Sequence, residues 1–144
     1  MAHVERPPQL TLEMVTPDRA VVHENVDEVE LPGLMGHFGV LPGHTPLLAA
    51  LGVGELWYRR GQEKKYVSVA NGVAEVLADR VIVLCRNAER ADEIDVARAE
   101  AAKQRAEATL KKPSVSIDEM ERARVALMKS LTRLQVASKA RTRG

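Results

Sequence analysis

The sequence lacks most features of secreted, membrane-spanning and cysteine-zinc proteins. It contains one cysteine, Cys85, which excludes an internal disulfide and a multi-cysteine zinc site. No stretch approaches the roughly 18 to 20 consecutive apolar residues that a spanning helix needs, and residues 1–9 hold no apolar segment of a secretory signal. We therefore expect a protein of a reducing compartment that spans no membrane and reaches one only through a partner.

Signatures of catalysis are also missing. The glycine-rich stretch 36–45 lacks both the glycine spacing and the lysine of a phosphate-binding loop. The four histidines show no metal-ligand spacing, and there is no Gly-x-Ser-x-Gly motif. Cys85 lies in the apolar run 81–85, which predicts a small buried side chain and not a nucleophile. The sequence thus predicts no catalytic residue and no metal site.

The chain changes character near residue 88. Its composition, 45% hydrophobic and 28% charged, is that of a folded, soluble protein. Residues 10–85 form short apolar or alternating runs separated by turn residues, a pattern typical of an antiparallel β-sandwich or barrel. Asn71-Gly72 lies between two such runs and predicts a two-residue hairpin. Residues 78–80 predict another turn, before the run 81–85.

Beyond this region good helix formers replace the β-branched residues. Asp92 is predicted to cap a first helix that runs to about Lys111, with Asp95 in its first turn. Ser116 and Glu119 have the spacing of a capping box, which predicts the start of a second helix. Apolar residues three or four apart predict one buried face on each helix: Ile94, Ala97, Ala101 and Ala108, then Met120, Ala123, Leu127, Leu131 and Leu134.

Two helices joined by a short loop are expected to form an antiparallel hairpin. An alanine seam buries little apolar area, so the hairpin should be marginal alone and able to detach. After Glu121 the chain has no acidic residue, whereas seven basic residues are spread along it: Arg122, Arg124, Lys129, Arg133, Lys139, Arg141 and Arg143. A helix of one charge favours an acidic partner over a merely solvated face. Nucleic acid is disfavoured, because the helical region has no aromatic residue to stack on bases.

Three motifs in sequence order resemble the epsilon subunit family of bacterial F-type ATP synthases. Residues 29–33, Val-Glu-Leu-Pro-Gly, and residues 39–48, Gly-Val-Leu-Pro-Gly-His-Thr-Pro-Leu-Leu, are similar to the family's loop with its PGH-x-PLL motif. Residues 71–76 resemble its late hairpin. Residues 94–99, Ile-Asp-Val-Ala-Arg-Ala, resemble its [IL]-D-x-x-R-A motif. The resemblance implies the same β + α division, with a sandwich domain over residues 1–88 and a regulatory helical hairpin over residues 89–144.

The resemblance further implies a non-catalytic rotor subunit of the central stalk. In that family the sandwich binds the gamma subunit and rests on the ring of c subunits, which couples proton-driven rotation to ATP synthesis. The hairpin can extend into the catalytic head of alpha and beta subunits and inhibit ATP hydrolysis. The expected location is the cytoplasmic face of the bacterial plasma membrane. The residues expected to contact the catalytic head are Arg122, Arg124, Lys129 and Arg133.

Two further sites follow from the resemblance. A loop facing the c-ring would contain His37, Phe38 and His44, although relatives can have an acidic residue at the first of these positions. No cofactor is required, but ATP is expected as a regulatory ligand between the folded helices, bound by Glu89, Asp95, Arg98, Lys129 and Arg133.

The residues predicted to bind ATP have a simpler structural explanation, and the chain as a whole has two alternative functions. Asp95 and Arg98 would also suit an ordinary ion pair near a helix start. Lys129 stands where another member of the family has arginine. Its ammonium lacks the planar guanidinium geometry that binds phosphate through two hydrogen bonds. The alternative functions are an adaptor whose basic hairpin binds an acidic protein or nucleic acid, and a small nucleotide-hydrolysing enzyme.

Overall fold

The computed structural model describes residues 8–141, which form a strand-rich part followed by two helices. The strands are β1 (Leu10–Val15), β2 (Ala20–Val26), β3 (Glu28–Gly33), β4 (Gly36–Val40), β5 (Leu47–Leu51), β6 (Gly54–Arg60), β7 (Glu63–Val76) and β8 (Arg80–Arg90). A 3-10 turn (Ala91–Glu93) then leads to α1 (Val96–Leu110) and α2 (Ile117–Arg141). The predicted β-sandwich and two-helix hairpin are confirmed.

Two long strands join the halves of the sandwich. The first part of β7 pairs with β6 and its last part pairs with β5. β8 runs antiparallel to β7 along most of its length and parallel to β1 on its other side. Within the described chain β1–β8 is the one parallel pairing, since β1–β2, β3–β4, β3–β5 and β3–β6 are all antiparallel.

The hairpin predicted at Asn71-Gly72 is wrong. β7 continues through this dipeptide and pairs with β8 on both sides of it, with Ala70 opposite Asn87 and Gly72 opposite Cys85. Asn71 does adopt a left-handed backbone, with φ of 59°. It marks the point where β7 changes its other partner from β6 to β5. The dipeptide therefore kinks a long strand, and its local sequence does not distinguish such a kink from a chain reversal.

The turn predicted at residues 78–80 is confirmed, because the N–H of Leu77 donates to the carbonyl of Arg80 at 2.9 Å and the chain reverses there. The core also follows the predicted alternation. Leu10, Leu12 and Met14 of β1 are all fully buried. Cys85 is buried among the same residues, and desolvation raises the pKa of its thiol to about 11. It is a core residue, as predicted.

The first helix begins later than predicted. Asp95 and not Asp92 is its N-cap, and the Asp95 carboxylate accepts the backbone N–H of Arg98 at 3.0 Å. Asp92 lies in the 3-10 turn, and Ile94 after it is extended. Ile94 is buried with Val136 and Ala137 of α2. Because this packing holds the chain extended, a helix cannot start before Asp95.

The buried face of α1 is also rotated from the predicted one. Ala99 and Ala106 are buried, whereas Ala97, Ala101 and Ala108 are exposed. Alanine occurs on several sides of this helix, so residue spacing alone does not select the face that packs.

α2 follows the prediction more closely. The Ser116 hydroxyl accepts the backbone N–H of Glu119 at 3.1 Å, which confirms the predicted helix start. Ala123 is buried as expected, but Met120 and Leu131 are exposed. Ser130 is buried instead, and its hydroxyl donates a hydrogen bond to the carbonyl of Ala126 at 2.8 Å.

The close approach of β7 to β8 at Gly72 leads to a stability prediction. A Cβ at Gly72 would lie 2.6 Å from the Leu84 carbonyl oxygen and 2.7 Å from the Cys85 Cβ. Since β8 is paired on both sides here, we predict that Gly72→Ala lowers the free energy of unfolding by about 2 kcal/mol. Urea denaturation measures the change. Gly39→Ala is the matched control, because its Cβ would meet nothing within 4 Å. Equal losses in both variants would contradict the prediction.

Candidate functional site

A cleft between the sandwich and the helices contains most of the residues predicted to bind ATP. Its volume is about 430 Å³, which falls within the range of small-molecule sites. Glu89 comes from β8, Arg98 from α1, and Lys129 and Arg133 from α2. Four of the five predicted residues therefore line one cleft.

The elements of the fold explain why these side chains meet. Lys129 and Arg133 are four residues apart on α2 and so lie on one face of the helix. Glu89 lies on β8 directly opposite Ser68 of β7. Arg98 is in the first turn of α1, which the Asp95 cap fixes. The cleft thus depends on strand register and on two helix faces.

An ion pair crosses the cleft. Nε of Arg133 lies 2.9 Å from Oε1 of Glu89, and Nη2 donates to Oε2 at 3.2 Å. Nη2 supplies the hydrogen bond of this pair, whereas Nε makes a close electrostatic contact without hydrogen-bond alignment. The ion pair connects α2 to β8 and therefore the hairpin to the sandwich.

Asp95 does not line the cleft. Its carboxylate caps α1 through the backbone N–H of Arg98, whereas the side chain of Arg98 lines the cleft. In the described chain the contact between the two residues is this capping bond and not the alternative side-chain ion pair. Any effect of Asp95 on a ligand would therefore be exerted through the position of Arg98.

The charge of the cleft suits an anion. Three cationic side chains and one carboxylate line it, so positive charge is in excess. Polar lining comes from Ser68, Asn87 and Ser130, which sequence reasoning missed. Ser130 lies beside the apolar face predicted for α2, three residues after Leu127, and this spacing was the available signal. No group of three or more potential metal ligands occurs within residues 8–141.

The residues predicted to face the c-ring do not form one loop. His37 and Phe38 lie in β4, where successive side chains point to opposite faces. His37 is exposed, 3.9 Å from a carboxylate oxygen of Glu30, and Phe38 packs against the core. His44 lies beyond the C-terminal end of β4. The family resemblance suggested a loop, but Gly36 and Gly39 are accommodated within the strand.

Exposed apolar residues that sequence reasoning missed occur at two places on the sandwich. Leu34 and Met35 form the turn between β3 and β4, and Met35 is fully exposed. Their signal is two apolar residues between Gly33 and Gly36. An outer strip consists of exposed residues on neighbouring strands: Val15, Leu48, Val73 and Leu84. Contiguous exposed apolar surface of this kind marks interaction sites.

The four residues expected to contact a catalytic head divide between two environments. Arg122 and Arg124 are exposed on α2, and Arg124 lies 3.8 Å from Glu121. Lys129 and Arg133 face the cleft. The side chain of Arg141 and the whole of Arg143 are outside the described residues.

Comparison with known proteins gives consistent matches over both parts of the chain. The profile for the ATP synthase delta/epsilon chain, beta-sandwich domain, matches residues 9–91, and that for its long alpha-helix domain matches residues 92–138. ATP synthase epsilon chain 2 of Syntrophotalea carbinolica is 50% identical over 131 residues, which are 91% of this chain and 95% of that one. The ATP synthase epsilon chain of Solibacter usitatus is 47% identical, over 92% of this chain and 98% of that one.

A solved structure shares the fold. A chain in the cryo-EM structure of the Euglena gracilis mitochondrial ATP synthase, OSCP/F1/c-ring in rotational state 1, superposes with a TM-score of 0.80 at 24% identity. The match covers 94% of this chain and 85% of that one. A search of the described helices for a segment long and apolar enough to cross a bilayer finds none.

The capping role of Asp95 can be separated from ligand binding. We predict that Asp95→Ala lowers the stability of the hairpin by about 1 kcal/mol, because the first turn of α1 loses its cap. Hydrogen exchange of the α1 amides without nucleotide measures the change. Asp92→Ala is the matched control, since Asp92 is an exposed residue of the 3-10 turn. Faster exchange in the Asp92 variant than in the Asp95 variant would refute the assignment.

Proposed function

The chain belongs to the ATP synthase delta/epsilon chain family, and on that premise we propose that it is a non-catalytic subunit of the central stalk. It couples proton-driven rotation to ATP synthesis and restrains ATP hydrolysis through its helices. Its partners are the gamma subunit, the c-ring and the alpha and beta subunits. Since the matched relatives named above are bacterial, the proposed location is the cytoplasmic face of the plasma membrane.

The observation that carries this proposal is the weak apolar contact between the two parts of the chain. The sandwich has a large core of its own. A separate small cluster, centred on Ile94, Val136 and Ala137, joins the helices to it. A contact of this size, supplemented by ion pairs, suits two states that differ by a few kcal/mol. The hairpin can therefore leave the sandwich without unfolding it.

The sandwich offers surfaces for the rotor partners. We assign the outer strip of Val15, Leu48, Val73 and Leu84 to the gamma subunit, because apolar side chains exposed on neighbouring strands form a continuous docking face. We assign the turn of Leu34 and Met35, together with His37 on the adjoining strand, to the c-ring. A protruding turn with apolar side chains can insert between neighbouring subunits of a ring.

The outward face of α2 suits contact with the catalytic head. Exposed apolar side chains occur on it beside the exposed Arg124: Met120, Met128 and Leu131. Arg122 and Val125 lie on the adjoining side of the helix, with Lys129. Apolar contacts would supply affinity, and the arginines would meet acidic segments of the head. Lys129 and Arg133 would join this surface only after the hairpin opens, because in the closed form they face the cleft.

ATP in the cleft would favour the closed form. The cleft is built from β7, β8, α1 and α2, so a ligand bound there holds both helices to the sandwich. Its phosphates would meet Arg98, Lys129 and Arg133. A ligand that binds one of two conformations shifts the population toward it by its differential affinity. ATP binding would thus oppose inhibition.

Reconstitution of the catalytic head with gamma tests the central proposal. The full chain should inhibit ATP hydrolysis, whereas a chain ending after Glu93 should bind gamma without inhibiting. This end point keeps β8 whole and retains the ion pair between Arg19 and Glu93. If the short chain inhibits equally, the helices are not the inhibitory element; if neither chain binds gamma, the stalk role itself is wrong.

Calorimetric titration of the full chain with ATP tests the cleft. We predict that Arg98→Ala weakens ATP binding about tenfold or more, because a charge-assisted hydrogen bond to phosphate contributes roughly 1.5 to 3 kcal/mol. Lys129→Arg should strengthen binding, since a guanidinium can bind phosphate at two points. Arg86→Ala is the matched control, from an exposed arginine of β8 outside the cleft lining. Equal losses in the two alanine variants would argue against this site.

A further inference from the structure

A second ion pair fastens the C-terminal part of α2 to the sandwich. Nζ of Lys139 lies 2.7 Å from Oε1 and 2.8 Å from Oε2 of Glu55 on β6. The same ammonium lies 4.6 Å from the ring centroid of Tyr66 on β7, within the range of a cation–π contact. We call Glu55, Tyr66 and Lys139 the terminal clasp.

The terminal clasp is only partly accessible to solvent. The side chains of Glu55 and Lys139 are 16% and 33% exposed, so water screens this pair less than a fully exposed one. When one partner of such a pair is removed, the other keeps its desolvation cost without its counter-charge. Loss of either charge would therefore disfavour the closed form more than loss of a pair on an open surface.

The clasp and the cleft hold α2 at two separate points. Arg133, which pairs with Glu89 in the cleft, precedes Lys139 by about 9 Å of helix. Val136 and Ala137 lie between them and are buried with Ile94, with Tyr66 packed against this cluster. Tyr66 thus contributes to both the apolar cluster and the clasp, so the two are expected to form and break together.

The two ion pairs differ in their relation to a nucleotide. Glu89 and Arg133 line the cleft, so phosphate would compete with the Glu89 carboxylate for Arg133. Glu55, Tyr66 and Lys139 are outside that lining. A ligand that entered the cleft would weaken the first ion pair and leave the second intact.

We propose that the terminal clasp holds the hairpin closed without nucleotide, so that ATP adds to a closed population that already exists. This inference rests on the proposed opening of the hairpin. It assigns Glu55 and Lys139 a positioning role in regulation, separate from ligand binding. The clasp sets the fraction of closed molecules that a nucleotide meets.

Single-molecule energy transfer in the full chain tests the clasp. One dye is placed at Gln62→Cys on the turn between β6 and β7, and the other at Gln135→Cys on α2, since both side chains are exposed. Cys85 is buried and stays unlabelled. Without nucleotide, Glu55→Gln should lower the ratio of closed to open molecules about tenfold, by loss of the partly buried pair. Glu63→Gln, at an exposed glutamate that begins β7, is the matched control and should leave the ratio unchanged.

Charge reversal separates the ion pair from a merely structural effect of Glu55. The double variant Glu55→Lys with Lys139→Glu should recover part of the closed population lost in Glu55→Gln, because opposite charges again face each other although the cation–π contact with Tyr66 is lost. A ratio within twofold of wild type in Glu55→Gln would overturn the clasp, and so would failure of the reversed pair to restore any closure.

Addition of ATP separates the clasp from the proposed nucleotide response. If Glu55→Gln opens the hairpin and ATP closes it again, both proposals are supported. If Glu55→Gln opens the hairpin and ATP has no effect, the clasp is supported and the proposed nucleotide response is contradicted. If Glu55→Gln stays closed, the clasp is overturned, and calorimetric titration of the wild-type chain with ATP decides the nucleotide response separately.

Discussion

The pairing of β7 with β8 is the constraint on which the rest of the structure depends. The ladder runs from Val67 opposite Arg90 to Val76 opposite Val81 and spans both halves of the sandwich. One end of it presents Ser68 and Glu89 to the helices. The other end carries the apolar outer strip. Because side chains alternate along paired strands, a shift of register by one residue would remove both surfaces together.

The two parts of the chain are held by different kinds of interaction. The sandwich depends on a large apolar core, whereas the helices meet it through a few small apolar residues and two ion pairs. Because stabilisation by apolar burial scales with the buried area, the sandwich core is strongly stabilised, whereas the contact between the helices and the sandwich is weak. The two ion pairs add direction to this weak contact, and loss of either charge of a pair would weaken it further. The closed form is therefore specific in geometry, and its weak contact suits the proposed opening.

Periodicity predicted the elements better than it predicted their ends and faces. Alternation identified buried strands, and the Ser116 capping box located the start of α2, because both signals are local. The kink at Asn71, the cap at Asp95 and the packed face of α1 depend on partners distant in sequence. Most of the cleft was predictable through the family resemblance. The terminal clasp was not, since Glu55 and Lys139 are separated by 84 positions and each resembles an ordinary surface charge.

The charge pattern of α2 suits the two conformations proposed for the hairpin. No acidic residue follows Glu121, so the basic residues beyond it find carboxylates only outside that segment. In the closed form Glu55 and Glu89 of the sandwich supply them to Lys139 and Arg133. In the proposed open form acidic segments of the catalytic head would supply them instead. One ammonium or guanidinium cannot occupy both places, so a basic residue that pairs with the head must first leave its carboxylate on the sandwich. For Arg133, this competition would make the contact with the sandwich and the proposed contact with the head mutually exclusive.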